Sequence, residues 1–123
     1  MVFLAVPGQA QGLPDAPKPK TIDRTFLISV GVLAAASTAD QITTERFLNR
    51  GCHELNPIFG PHPSPSKVAG VSLLYFGGEV GLSYVLKKFG RGHWWSKVWL
   101  VEPSWGTAVH IQASVHNEGL TCP

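Results

Sequence analysis

A few polar side chains stand within apolar stretches of this chain, where they could bind a proton, a metal ion or one another. Glu79 is the only residue of the charged types in the nineteen-residue apolar run at 68–86. Asp40 and Thr44 lie four residues apart in an earlier apolar stretch, so a helix would place them on one face. A carboxyl group in the middle of such a run needs a partner, a proton or a role.

The elements that must position these residues are predicted to be helices. The run at 68–86 matches the roughly 20 residues that a helix needs to cross a bilayer core of about 30 Å. A first helix is expected to begin at Thr21 or Asp23 and to stop at Gly51, with only 26–36 strongly apolar. Ser66 is expected to cap the second helix, which ends in basic residues followed by glycine.

The third segment, from 98 to 117, is interrupted at Pro103, which could open a new helix or kink an existing one. Its pattern also fits a strand, but a strand beside two spanning helices would have no sheet to join. As a helix it places Gly106, His110, Ala113 and Asn117 on one face. The predicted fold class is therefore all-α: a small helical membrane protein with two long transmembrane helices and a proline-broken third helix.

Composition supports a membrane protein and argues against nucleic-acid binding. Charged residues make up 15% of the 123 residues, below the roughly 25% of ordinary soluble domains. The basic residues flank the apolar blocks and form no stripe, so nucleic acid is a poor partner. The expected partners are the lipid bilayer and other membrane protein subunits. The aromatic cluster Trp94, Trp95 and Trp99 is typical of the headgroup region.

Two helical stripes of polar residues are candidates for the site. One holds Ser37, Asp40, Thr43 and Thr44, and the other holds Ser72, Tyr75, Glu79 and Ser83. They could face each other and enclose a polar site with His110, or they could only hydrogen-bond the helices together, as is common in membrane bundles. Gly77 and Gly81 form a GxxxG motif that would let another helix, in this chain or a partner, come close.

The connection between the first two helices contains Gly51-Cys52-His53-Glu54-Leu55-Asn56-Pro57. Glu54 and Asn56 are expected to bond exposed backbone groups at the end of the first helix, while Pro57 fixes the turn. Alternatively, His53 and Glu54 could join Asp40, Glu45 or His62 around a metal ion.

These motifs resemble those of a family of small, uncharacterised bacterial integral membrane proteins with D-x-x-(S/T)T and G-x-x-E-x-N-P signatures. The resemblance covers roughly residues 25–90 and includes the spacing of the motifs. It implies a helical domain in the bacterial inner membrane, with Asp40, Thr44, Glu54 and Asn56 as signature positions. It implies no activity. The Pro-rich leader and the proline-broken third segment depart from the pattern.

The chain is divided into a signal-like and Pro-rich segment at 1–20, a helical domain at 21–118 and a short tail at 119–123. Gly8-Gln9-Ala10 has the form of a signal cleavage site, which would put the N-terminus outside, whereas the distribution of Lys and Arg puts it in the cytoplasm. Cys52 and Cys122 could pair in an oxidising compartment or stay free.

Three functions are compatible with this sequence. The first is a non-enzymatic accessory or assembly subunit of a membrane complex. The second is a membrane-embedded site for a metal, a proton relay or a small ligand, built around Asp40 and Glu79. The third is a secreted soluble helical domain. No catalytic residue or cofactor is assigned.

Overall fold

The computed structural model describes residues 20–54 and 56–122, and all the regular structure in them is helical. Helix α1 spans Arg24–Asn49, α2 spans Pro65–Phe89 and α3 spans Val101–Gly119, which follows a short 3₁₀ turn at Val98–Leu100. The all-α prediction is confirmed. The signal-like stretch at residues 8–10 lies outside the described residues.

Helix α1 has the ends that its sequence predicts. The Asp23 carboxylate accepts a hydrogen bond from the Phe26 N–H at 2.9 Å, which satisfies one of the free donors of the first turn. At the other end the Arg50 N–H donates to the Arg46 carbonyl, and Gly51 takes a positive φ of 84°. Glycine at this point allows the chain to leave the helix without strain.

The second helix starts earlier than predicted, because Ser64 and not Ser66 is its cap. The Ser64 hydroxyl accepts from the Lys67 N–H at 3.3 Å, and Pro65 takes the first helical position. Proline suits that position because its missing N–H would have no partner there. The prediction failed because the sequence offers two serines two residues apart.

Helix α3 begins at Val101, so Pro103 lies in its first turn. The proline therefore opens a helix and does not kink one, since first-turn residues need no N–H donor. At the far end, a disulfide joins Cys52 to Cys122 across 70 residues, and Glu118 forms salt bridges with Arg46 and Arg50. We call this the disulfide end of the bundle, and the opposite end, near Lys87 and Arg91, the basic end.

The outer surface of the bundle is largely apolar. Helices α1 and α2 are long and apolar enough to cross a membrane, yet only 22% and 11% of their apolar windows are buried in the protein. Leu73 and Leu74, for example, are 73% and 78% exposed. The buried apolar core is small and includes Phe26, Leu33 and Trp99. Apolar surface thus faces outward on the same helices whose Asp40 and Glu79 side chains are largely buried.

Candidate functional site

The most prominent internal feature is an imidazole placed between two carboxylates from different helices. His110 Nδ1 on α3 lies 2.8 Å from Asp40 Oδ2 on α1, and His110 Nε2 lies 3.7 Å from Glu79 Oε2 on α2. All three side chains are largely buried, with 14%, 21% and 17% of the His110, Asp40 and Glu79 side chains exposed. We call these three residues the internal triad.

A hydrogen-bonded chain continues from the triad toward the disulfide end. The Thr44 hydroxyl donates to Asp40 Oδ1 at 3.4 Å, and the Asn117 amide donates to the Thr44 hydroxyl at 2.9 Å. Asn117 lies two turns along α3 from His110, so α1 and α3 are joined twice along one face. The predicted polar face of the third helix therefore packs against α1.

Gly106 allows α3 to approach the triad closely. A Cβ atom at this position would lie 2.6 Å from Glu79 Oε1 and 3.0 Å from both Glu79 Cδ and Leu33 Cδ1. Leu33 is fully buried, so it has little room to move. The absence of a side chain at Gly106 is what brings the carboxyl of α2 beside the imidazole of α3.

The predicted polar stripe of α2 does not act as one unit. Glu79 faces α3, and Ser83 is buried beyond it; Glu79 Oε2 and the Ser83 hydroxyl have no hydrogen-bond partner within the described residues. Ser72 lines a separate small pocket with Ser37 and Gln41 of α1. Tyr75 is nearly half exposed and lies in an outer groove.

That outer groove brings a further carboxyl group near the triad. It has a volume of about 420 Å³, is open to the outside, and is lined by Glu79 and by Glu102 from the first turn of α3. The sequence marks Glu102 only as the residue before a helix-opening proline, so nothing in its pattern indicated this position.

The loop between α1 and α2 is separate from the triad, and the side chains of Glu54 and Asn56 organise its turn. Glu54 accepts from the Asn56 N–H at 2.8 Å, and the Asn56 side chain accepts from the Ile58 N–H at 3.1 Å. The rings of His53 and His62 pack edge to face, with centroids 4.5 Å apart. Glu54 and Asn56 thus bond backbone groups of the loop itself, and not the end of the first helix as the sequence predicted.

The described residues contain no group of three or more His, Cys, Asp or Glu side chains arranged to hold a metal ion. The geometry of the triad explains why it is not such a group. Its two carboxylates lie at different nitrogens of one imidazole, on opposite sides of the ring, so one metal ion bound to a ring nitrogen could not reach both. A carboxylate at each nitrogen is instead suited to proton exchange, because an imidazole can take a proton at one nitrogen and release one from the other.

Other predicted contact residues have mixed surroundings. A Cβ at Gly77 or Gly81 would meet no atom of the described residues within 4 Å, so the GxxxG motif makes no close helix contact within this part of the chain. Trp94 is 95% exposed, whereas Trp99 is buried against Phe26, with ring centroids 5.7 Å apart. Trp99 is thus a core residue of the bundle, whereas Trp94 points outward.

Comparisons with protein-family models, with curated proteins and with solved structures give no match for this chain.

Proposed function

We propose that this chain is an integral membrane protein and that its internal triad binds and relays a proton within the bilayer. The observation that carries the proposal is the inverted distribution of polarity. Large apolar side chains on α1 and α2 point outward, while Asp40, Glu79 and His110 are largely enclosed by the three helices. Lipid can solvate the first set, and the enclosed interior reduces the contact of the second set with hydrocarbon.

The depth of the triad supports this role. Glu79 is ten residues from the end of α2, which is about 15 Å of helix, and His110 is nine residues, or about 13 Å, from either end of α3. Both lie near the middle of a bilayer core of about 30 Å. Ionisable side chains at this depth typically mark an ion or proton path.

The two ends of the bundle support one orientation. Disulfides form and persist in oxidising compartments, so the end that holds the Cys52–Cys122 bond is expected to lie outside the cytoplasm. Most Lys and Arg residues lie toward the opposite, basic end, which the positive-inside rule places in the cytoplasm. We therefore propose that the N-terminus of α1 is cytoplasmic and that the α1–α2 loop and the C-terminus are outside, in the bacterial inner membrane that the family resemblance implies. α3 then crosses the membrane as a third span.

The relay depends on the protonation of His110. A proton on Nδ1 lets the neutral imidazole donate to Asp40 and leaves Nε2 free to accept. Nε2 and Glu79 Oε2 are 3.7 Å apart, too far for a hydrogen bond, so transfer requires a small side-chain movement or a bridging water. When Nε2 takes a proton from Glu79, the Nδ1 proton can pass to Asp40, and the charge on the ring is released.

Proton flux into liposomes tests the relay. The full chain is reconstituted with a pH-sensitive dye inside the vesicles, and Glu79→Gln and His110→Gln are compared with Glu45→Gln. Glu45 lies on the same helix as Asp40 but outside the triad, and within the described residues its carboxylate accepts a hydrogen bond from the Gln41 amide, so it is a matched control. We expect at least a ten-fold loss of flux in the two triad variants and none in the control. Wild-type flux equal to that of empty vesicles would reject the relay.

A subunit role in a larger membrane complex is a second proposal, supported by the open glycine face of α2. Gly77 and Gly81 are exposed on an apolar helix, where a partner helix could pack closely. Gly81→Leu should then release proteins that co-purify with the wild type, whereas Gly31→Leu on α1 should not. Extraction with alkaline carbonate tests the membrane location that both proposals need. Release of the chain into the aqueous phase would exclude a membrane-spanning protein and favour the secreted soluble domain.

A further inference from the structure

A second polar pocket lies at the basic end, far from the internal triad. It has a volume of about 360 Å³ and lies where the start of α1, the end of α2 and the turn before α3 meet. Its charged and aromatic lining residues are Lys20, Asp23, Lys87, Arg91, Lys97 and Trp99. We call this the basic pocket, because four cationic side chains share it with one carboxylate.

The one carboxylate of the basic pocket is already paired. Asp23 forms a charge-assisted hydrogen bond with the Lys87 ammonium group, and the Lys87 side chain is only 9% exposed. The hydrogen bond from Lys87, followed by that from the Phe26 N–H, lowers the pKa of Asp23. The ammonium group also lies 4.1 Å from the centroid of the Trp99 ring. Lys87 and Asp23 therefore line the pocket as an ion pair with no net charge.

The other three cations of the pocket have no acidic partner among residues 20–54 and 56–122. Lys20, Arg91 and Lys97 make no salt bridge with any carboxylate of the described residues. The Arg91 guanidinium donates to the Thr21 hydroxyl at 2.5 Å, which holds it at the pocket. Three cations around one concave site attract an anion, and Arg and Lys are the side chains that bind phosphate oxygens.

The position of the pocket indicates which phosphate it would meet. It lies just beyond the apolar length of α2, beside the fully exposed Trp94 and the half-buried Trp95, whose ring packs over Gly90. Tryptophan and basic residues at this level are typical of the headgroup region. In the proposed orientation this end faces the cytoplasmic leaflet, which carries the anionic lipids.

We propose that the basic pocket binds the phosphate group of an anionic phospholipid headgroup from the cytoplasmic leaflet. This inference rests on the proposed membrane location, but it does not depend on proton transfer by the triad. The phosphate accepts hydrogen bonds from Arg91 and Lys97 while the acyl chains lie against the apolar surface of the adjacent helices. Phosphate as a free ion offers the same chemistry without the chains, so the two sources can be compared directly.

Native mass spectrometry of the full chain in mild detergent measures this binding. The ligands are phosphatidylglycerol, phosphatidylcholine with the same acyl chains, and inorganic phosphate. We expect one tightly bound phosphatidylglycerol per chain and at least ten-fold weaker binding of the other two. Arg91→Gln and Lys97→Gln should each weaken phosphatidylglycerol binding about five-fold, the equivalent of about 1 kcal/mol for one cation near an anionic surface.

Lys88→Gln is the matched control. Lys88 belongs to the same helix end and is exposed, but it does not line the pocket. Equal weakening by Lys88→Gln, equal binding of phosphatidylcholine, or equal binding of inorganic phosphate would each overturn the proposal. If Arg91→Gln does not fold because its bond to Thr21 is lost, Lys97→Gln still provides the test. Release of the chain by carbonate would reject the membrane location itself, whereas a chain retained in the membrane without lipid selectivity rejects only the pocket.

Discussion

Replacing Gly106 by alanine tests the closest approach in the bundle. The new Cβ would lie 2.6 Å from Glu79 Oε1 and 3.0 Å from Leu33 Cδ1, both shorter than normal contact distances. Glu79 could rotate away, but that would move its carboxyl from His110. Leu33 is fully buried and can move only by displacing its neighbours. We therefore expect loss of stability together with distortion of the internal triad.

The expected loss in the free energy of unfolding is best measured against the same substitution at a second helix glycine. Alanine favours a helix over glycine by about 1 kcal/mol, and this gain is shared by any glycine in a helix interior. Gly31 in α1 is such a residue, and a Cβ there would meet nothing within 4 Å. The difference between Gly106→Ala and Gly31→Ala thus isolates the overpacking term, which is typically about 1–3 kcal/mol.

Unfolding by a denaturing detergent, starting from a mild one, measures both variants against the wild type. Gly31→Ala should equal or exceed the stability of the wild type, and Gly106→Ala should fall below Gly31→Ala by the overpacking term. Gly106→Ala should also reduce proton flux in liposomes, because it displaces Glu79. Equal stability of the two alanine variants would show that α3 does not pack closely on Glu79 at this point.

Three further changes test other contacts. Reducing the Cys52–Cys122 disulfide should destabilise the folded state by up to about 4 kcal/mol, because the bond closes a loop of about 70 residues; detergent unfolding with and without reductant measures this. Asp23→Asn keeps the helix cap but removes the partner of Lys87. Since the folded pKa of Asp23 lies below its unfolded value, the pair stabilises the wild type above the unfolded pKa, and this stabilisation is lost as the pH falls through the folded pKa. Wild-type stability should therefore exceed that of Asp23→Asn at pH 7, and the difference should shrink as the pH is lowered below the ordinary pKa of an aspartate, as thermal unfolding can show. Thr44→Val should cost about 1 kcal/mol in the same assay, because it removes an interhelical hydrogen bond and leaves the half-buried amide of Asn117 without this partner.

Much of the fold is predictable from local chemistry. Asp23 as a cap, Gly51 as a helix end and Pro103 near a helix start are local signals, and each has a well-defined backbone consequence. The start of α2 was misplaced because Ser64 and Ser66 offer the same hydroxyl. Only the position of Pro65 distinguishes them.

The site was less predictable because it depends on how the helices are rotated. The spacing placed Asp40, Glu79 and His110 on polar faces, but it could not indicate which ring nitrogen would meet which carboxylate. The stripe of α2 divides between two neighbouring helices, so Ser72 faces α1 and Glu79 faces α3. The pairing of Lys87 with Asp23 joins residues 64 positions apart and has no local signal.

The contacts between α1 and α3 show that ionisable residues are not needed to join these two helices. The neutral pair Thr44 and Asn117 already joins these helices by a hydrogen bond at 2.9 Å. Neutral hydroxyl and amide groups are sufficient for such bonds between membrane helices, and they avoid the large free-energy cost of holding a charge in hydrocarbon. Asp40 and His110 join the same two helices with groups that can both exchange protons, and Glu79 adds a third such group from α2. If the chain spans the membrane as proposed, neutral groups would suffice for a purely structural contact at this depth. The presence of three titratable groups at one point is therefore the reason that we propose a proton relay and not only a structural contact.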